Sequence, residues 1–202
     1  MKKIGIFGGT FNPIHRGHIK CIEEIDNNLS FDKILIIPNK LPPHKTVKYL
    51  ASDTDRLNMC RIAARHLKKA SVSDIEIKEE RKSYSVYTLK ELIRIYPQNK
   101  FRLYFIMGSD MLLSFDKWYR YKTILSMCSL VCISRSENDT PGLESCAEKL
   151  RGIGGDIIIV NAEPLDISST EIRERIRKKE DLSCFLDDLV VKYILENDVY
   201  ND

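Results

Sequence analysis

Two histidines three residues apart, His15 and His18, stand in the stretch Gly8 to His18, GGTFNPIHRGH, directly after the apolar run Ile4, Gly5, Ile6, Phe7. An imidazole can donate a hydrogen bond to a phosphoryl oxygen. A pair of them suits a place where negative charge builds up during phosphoryl or nucleotidyl transfer. Gly8 and Gly9 lack the side chains that would hold a phosphate off the backbone N–H groups. After them Ile19, Ile22, Ile25 and Leu29 recur at helical spacing, so the stretch predicts a strand, a tight loop with Pro13 and a helix. The unpaired N–H groups and positive end of that helix point at the same spot, where an anion is expected. Once helical, His15 and His18 share a face, and Gly17 between them leaves room for a ligand. The run is not a P-loop, lacking the Lys-Ser/Thr ending, nor a dinucleotide loop with GxGxxG spacing. Two plainer readings stand beside this one: histidines that only cap a helix, and a metal site, for which no third ligand stands at obvious spacing.

The rest of the chain must build the frame for that loop. With 202 residues, 43% hydrophobic and 30% charged, it has the length and composition of one α/β domain with a full core. A net charge of +3 argues little for nucleic acid, and the densest basic run, Arg173 to Lys179, is interrupted by Glu174 on a solvated helix. The six cysteines, at 21, 60, 128, 132, 146 and 184, show no CxxC and no histidine at zinc spacing. They read as buried thiols in a reducing compartment. The apolar part of MKKIGIFGG is too short for a signal peptide, and no run approaches a membrane span, so a cytoplasmic location follows by elimination.

In chain order, KILIIP (Lys33 to Pro38) predicts a strand buried on both faces. It leads into the proline-stiffened loop Asn39 to Lys48, which carries His44 and Lys45 at a strand's carboxyl end, where open α/β sheets bind ligands. Ser52 with Asp55 predicts a capping box for a helix with Leu57, Cys60, Ala64 and Leu67 inward, where nothing catalytic is needed. Val72, Ile75 and Ile77 predict a third strand. Ser85 is the expected N-cap of a helix bearing Val86, Leu89, Leu92, Ile93 and Tyr96. Phe101 to Met107 predicts a strand running into Gly108, Ser109 and Asp110. In a sheet of order 3-2-1-4-5 its end faces the histidine loop, and Asp110 can accept from a ribose hydroxyl or stand near a magnesium ion, unless it only caps the next helix. Trp118, among polar neighbours in DKWYRY rather than in an apolar stripe, offers an exposed indole face for stacking on an aromatic ring, although a lone tryptophan is more often core. Leu130 to Ser134 is a strand ending at Arg135, Glu137 to Gly142 a surface turn, Leu143 to Leu150 a short helix and Ile157 to Val160 a sixth strand. In ISSTEIR (Ile167 to Arg173), hydroxyls at a helix start with Arg173 one turn in make an anion-binding arrangement, although a capping box of Ser168 with Glu171 explains part of it. From Asp181 on, Leu182, Phe185, Leu186, Leu189, Val190, Tyr193 and Ile194 predict a terminal amphipathic helix.

GGTFNPIHRGH resembles the signature of the nucleotidyltransferase superfamily with a T/HxGH motif, filled here by His15, Arg16, Gly17 and His18, and ISSTEIR resembles its second signature. With PPHK, GSD and WY between them in the expected order, nearly the whole chain is similar to the bacterial nicotinate mononucleotide adenylyltransferases. That resemblance implies a Rossmann-like, doubly wound, mostly parallel sheet with C-terminal helices, forming one nucleotidyltransferase domain over 1–202 with 167–202 as its C-terminal helical part. It implies transfer of the adenylyl group of ATP to nicotinate mononucleotide, giving deamido-NAD and pyrophosphate. His15, His18, Lys45 and Arg173 would serve catalysis; Gly8, Gly9, Thr10, Phe11, His18, Gly108, Asp110, Arg135, Ser169, Thr170 and Arg173 would bind ATP. Asn39, His44, Lys45, Ser85, Trp118 and Tyr119 would bind the mononucleotide, with Trp118 stacked on the nicotinate ring and Tyr119 giving a backbone contact. Mg²⁺ would arrive with ATP rather than occupy a protein-held metal site. Neither nucleic acid nor membrane is an expected partner, and a homo-oligomer is left open. The family usually reads SYT where this chain has Ser85, and an aspartate where it has Tyr87. A relative acting on nicotinamide mononucleotide or phosphopantetheine, and a nucleotide sensor without turnover, are the competing readings; intact His15, His18 and Arg173 together speak against the sensor.

Overall fold

Six runs of the sequence become parallel strands: β1 (Lys2–Gly9), β2 (Lys33–Pro38), β3 (Ala70–Val72), β4 (Phe101–Gly108), β5 (Ser129–Ser134) and β6 (Ile157–Asn161). The computed structural model describes residues 1–40, 49–79, 83–134, 140–161, 165 and 167–200. Strand order is β3-β2-β1-β4-β5-β6, the doubly wound arrangement expected, with β6 added at the edge. The helices are α1 (Arg16–Leu29), α2 (Asp53–Ala63), α3 (Ser85–Ile95), α4 (Ser109–Leu113), α5 (Tyr121–Leu125), α6 (Thr140–Gly152), α7 (Ser169–Arg177) and α8 (Asp188–Glu196). Among the described residues none is long and apolar enough to cross a membrane.

Helices on both faces explain why runs such as KILIIP are apolar at every position. Phe7, Ile34, Ile36, Ile106, Val131 and Ile133 pack with residues of α1, α2, α7 and α8. Ile4, Ile6, Leu35, Ile37, Leu103, Phe105 and Leu130 pack with α3 to α6 on the other face. At about 1.5–3 kcal/mol for each such side chain fully buried, this two-sided packing holds the strand ends, and the loops leaving them, in place.

The ladder between β1 and β4 stops at Phe7 opposite Ile106, while the ladder between β1 and β2 continues to Gly9 opposite Pro38. Beyond Phe7 the two central strands part, and β4 stays with β5 as far as Gly108 opposite Ile133. The crevice of the sheet therefore opens between Gly8 and the end of β4, at the topological switch point.

Several expected boundaries move. The third strand is Ala70–Val72; Ile75 and Ile77 lie in a turn closed by the Lys78 N–H donating to Asp74 O, after the last bond to β2 is made by Ser73 N–H to Ile36 O. The helix expected over Leu143 to Leu150 begins at Thr140 and ends at Gly152. The terminal helix starts only at Asp188, because Asp187 caps it by accepting from the Leu189 N–H; residues 182–187 precede it as turns. Cys60, Cys128 and Cys132 are buried as expected, with burial pushing the Cys128 and Cys132 thiols up to about 12, whereas Cys184 is exposed in a turn.

Candidate active site

His15 is the N-cap of α1 rather than part of its first turn. Its ring packs against that of His18 with centroids 3.6 Å apart and planes 27° from parallel. The two form a reciprocal capping box: the His18 N–H donates to His15 Nδ1 at 3.4 Å, while the His15 N–H donates to His18 Nδ1 at 3.2 Å. An Nδ1 that accepts carries no proton, so each neutral ring has its N–H on Nε2, the edge turned from the backbone. The plain capping alternative is thus realised, and with Nδ1 tied to the backbone it leaves Nε2 as the N–H edge of each neutral ring. Gly17 serves the pair directly, since a Cβ there would sit 3.0 Å from His15 Nδ1; the room it leaves is filled by the imidazole, not by a ligand as expected. Phe11 meets the His18 ring edge-on at 5.2 Å and fixes its other side.

The two glycines before the loop differ in the same way. A Cβ on Gly9 would lie 2.9 Å from the Phe11 ring, so that glycine makes space for protein. Among the described residues, a Cβ on Gly8 would meet nothing nearer than 4.0 Å, and Gly8 is exposed, so its bare backbone faces open space at the end of β1. The open helix end is partly taken up: the Arg16 N–H donates to Phe185 O at 2.9 Å and the His18 N–H to its own cap, so these two backbone donors are already engaged.

The second signature meets the first. Ser169 Oγ donates to Pro13 O at 3.1 Å, and Arg173, 8% exposed, donates from Nη1 to Asn12 O at 2.8 Å and from Nη2 to Thr170 Oγ1 at 3.1 Å. A guanidinium has five N–H donors, and these bonds engage two of them among the described residues. Burial pulls its pKa below the ordinary arginine value. Ser168 caps α7 by accepting from the Thr170 N–H; the expected box with Glu171 does not form, because Glu171 pairs with Arg175 instead.

At the end of β4, Gly108 is the N-cap of α4 and Ser109 Oγ donates to Ile133 O. Asp110 is exposed in that first turn and gives no capping bond, so the bland reading of its carboxylate is not the one realised. Asn39 donates its N–H to Gly9 O across the lip of the crevice, and its Oδ1 is buried without a hydrogen-bond partner among the described residues. His44, Lys45 and Arg135 lie outside the described residues.

Ser85 is the first residue of α3, not its cap; Tyr84 holds that position and gives no side-chain bond. Trp118 is half-buried rather than exposed, seated on Phe105 and Phe115 at 5.9 and 5.3 Å between ring centroids, because the half-turn at Phe115–Lys117 folds it back. Tyr119 is 43% exposed and packs on Tyr84 at 5.0 Å and Tyr87 at 6.0 Å. The Tyr87 hydrogen bond and the nearby Arg120 guanidinium hold the Tyr119 phenol below its usual pKa. Tyr87, uninterpretable in sequence, is a wall of this aromatic cluster.

Four residues that sequence reasoning left aside support these. Arg56, in the helix where nothing catalytic was expected, is fully buried and donates from Nη1 to Thr10 O at 2.7 Å. Asn12 Oδ1 accepts from Ala51 N–H and from Tyr200 Oη, and its Nδ2 donates to Tyr49 O. Glu76 accepts from Thr88 Oγ1 at 2.6 Å, and burial raises its carboxyl pKa against the hydrogen bonds from Thr88 and Ser83. Only Asn12 lay inside a motif; an arginine in a helical stripe and a tyrosine past the last helix carry no signal.

A family model described as cytidylyltransferase-like matches residues 6–175. A relative from Fusobacterium nucleatum is 41% identical, covering 95% of this chain and 96% of its own, and one from Shewanella pealeana is 38% identical over 98% and 95%; each is named a probable nicotinate-nucleotide adenylyltransferase. The solved Plasmodium falciparum nicotinic acid mononucleotide adenylyltransferase complexed with NaAD superposes with a TM-score of 0.80 at 22% identity, covering 100% of this chain and 98% of that one. At that identity the likeness speaks for the fold.

Proposed function

This chain belongs to the nicotinate-nucleotide adenylyltransferases of the cytidylyltransferase-like family, and on that premise we propose how its residues perform the reaction. The enzyme transfers the adenylyl group of ATP to nicotinate mononucleotide, giving nicotinic acid adenine dinucleotide and pyrophosphate, a step of NAD biosynthesis. The attacking group is the mononucleotide phosphate, already anionic at pH 7, so no general base is needed. Its oxygen forms a bond to the α-phosphorus of ATP as the bond from that phosphorus to the bridging oxygen breaks, and the electron pair leaves with pyrophosphate. What the protein must supply is orientation and stabilisation of charge at the α-phosphorus and the departing oxygen.

The observation that carries this reading is the capped, stacked histidine pair. Its two Nε2–H groups donate side by side to triphosphate oxygens while each Nδ1 is tied to backbone. The remaining Arg173 donors neutralise the same polyanion, and the bare backbone at Gly8 lets it come close. Lys45 and His44 add phosphate contacts as the resemblance implies, and Arg135 and Ser169 to Thr170 border the ATP side. Asp110 takes ribose hydroxyls, Asn39 offers to the mononucleotide an oxygen that has no partner among the described residues, and Trp118, Tyr119 and Ser85 border the nicotinate ring. Donors and cations that neutralise a triphosphate fit a substrate that arrives with magnesium; Asp110, exposed in the first turn after β4, would help hold the ion, which would supply positive charge beside the triphosphate.

Pyrophosphate release from ATP and Mg²⁺ tests the reading, with nicotinate mononucleotide, its amide and phosphopantetheine offered in parallel. The acid is expected to exceed the amide in kcat/KM by about tenfold, the scale of one unmatched polar group. Equal use of the amide, or preference for phosphopantetheine, overturns it.

A further inference from the structure

Tyr200 lies past α8 and outside every motif, yet its phenolic oxygen donates to Asn12 Oδ1 at 2.8 Å, across 188 positions of chain. The residue is 7% exposed, and burial raises the phenol far above its usual pKa, which keeps it a hydroxyl donor. Its φ is 80°, a backbone region that a bulky side chain rarely occupies and that persists only where the surroundings over-determine it. What holds Tyr200 there is at the same time what holds Asn12. The Asn12 carboxamide accepts from Tyr200 and Ala51 and donates to Tyr49, so it can turn neither way without losing a bond. Its main-chain oxygen receives Arg173 Nη1, and His15 follows three residues later.

We infer that Tyr200 is a positioning residue for adenylyl transfer: its hydroxyl, acting through Asn12, fixes the loop that sets the His15–His18 pair and Arg173 against one another. The inference rests on the roles proposed above for those three side chains. Donors help only where charge develops, so a displacement of an ångström or less in the loop lowers turnover without weakening the grip on either substrate. A tyrosine needed only for packing would act on stability alone.

Two full-length variants separate these roles. Tyr200→Phe keeps the ring and its apolar contacts and removes the donor. Val199→Ala trims the neighbouring buried side chain, 6% exposed in the same core, and leaves the donor in place. Steady-state kinetics, thermal midpoints and the ¹³Cε1–¹H shifts of the histidine rings are measured for both. Tyr200→Phe is expected to lower kcat about tenfold with both KM values within about twofold, and to move the His15 and His18 signals but not that of His66. Val199→Ala is expected to melt earlier with kcat within about twofold of the parent. Unchanged kcat or unmoved His15 and His18 signals in Tyr200→Phe, or equal loss of kcat in the two variants, overturns the inference. The shifts need no substrate: a parent enzyme that fails to join ATP to nicotinate mononucleotide sinks the reading of the reaction, while the ring signals still decide whether Tyr200 sets the pair.

Discussion

The loop beside the histidines and the aromatic wall near α3 are built from opposite materials. Thr10 O is held by Arg56, Asn12 by Tyr49, Ala51, Tyr200 and Arg173, Pro13 O by Ser169 and the Arg16 N–H by Phe185 O. These are hydrogen bonds from α2, α7 and the chain beyond α8, with directions that leave the loop one shape. Tyr84, Tyr87 and Tyr119 instead meet one another chiefly through ring contacts, beside one hydrogen bond between Tyr87 and Tyr119, and Trp118 rests on Phe105 and Phe115, with centroids 5.0 to 6.2 Å apart throughout. Such contacts are worth about 0.5–1.5 kcal/mol each and tolerate a change of tilt. Charge that appears for an instant needs donors already in place, whereas a flat ring can be gripped by a wall that adjusts. On the roles proposed above, the first region would govern rate and the second acceptor choice.

The largest test of that division is His18→Ala, expected to lower kcat by about 10²-fold, the scale of losing one donor at the developing charge, with the thermal midpoint little changed. Near-normal turnover would remove the ring from the chemistry. Next is Trp118→Ala, expected to raise KM for the mononucleotide about tenfold while KM for ATP and kcat hold; the converse pattern would move the indole to the adenine side and dissolve the contrast. The smallest effect belongs to Glu76, which joins Thr88 of α3 to the turn after β3. Its raised pKa means the folded protein binds that proton more tightly than the unfolded chain, so stability falls as pH climbs above the ordinary value of 4.5. Glu76→Gln should therefore gain a few degrees of thermal midpoint relative to the parent between pH 4.5 and 7; a gap independent of pH would assign the effect to something other than the proton.

Much of this was legible because strand, loop and helix in an α/β sheet each leave a local pattern. Apolar runs bounded by turn residues marked the strands, and the doubly wound order 3-2-1-4-5 taken for them placed GGTFNP and GSD at one edge of the sheet. What was not legible lives between segments. Gly17 and Gly9 read as space for a ligand because nothing in the string says that the His15 and Phe11 rings fold back into it. Ser85 read as a cap because its hydroxyl suits one, but the chain turns a residue earlier, at Tyr84. Ile75 and Ile77 alternate like a strand, yet the neighbour they would pair with has already turned away at Pro38. Trp118 looked exposed from its polar neighbours in sequence, while its neighbours in space are phenylalanines.

The bond between residues 12 and 200 also has a bearing on time. A ribosome reads β1 first, and the sheet can gather from β1 to β6 before the stretch past α8 has left the exit tunnel. The support for Asn12 comes with a stretch made after all six strands, so on the role proposed for Tyr200 the nascent sheet can take shape before the loop that carries the histidine pair is fixed.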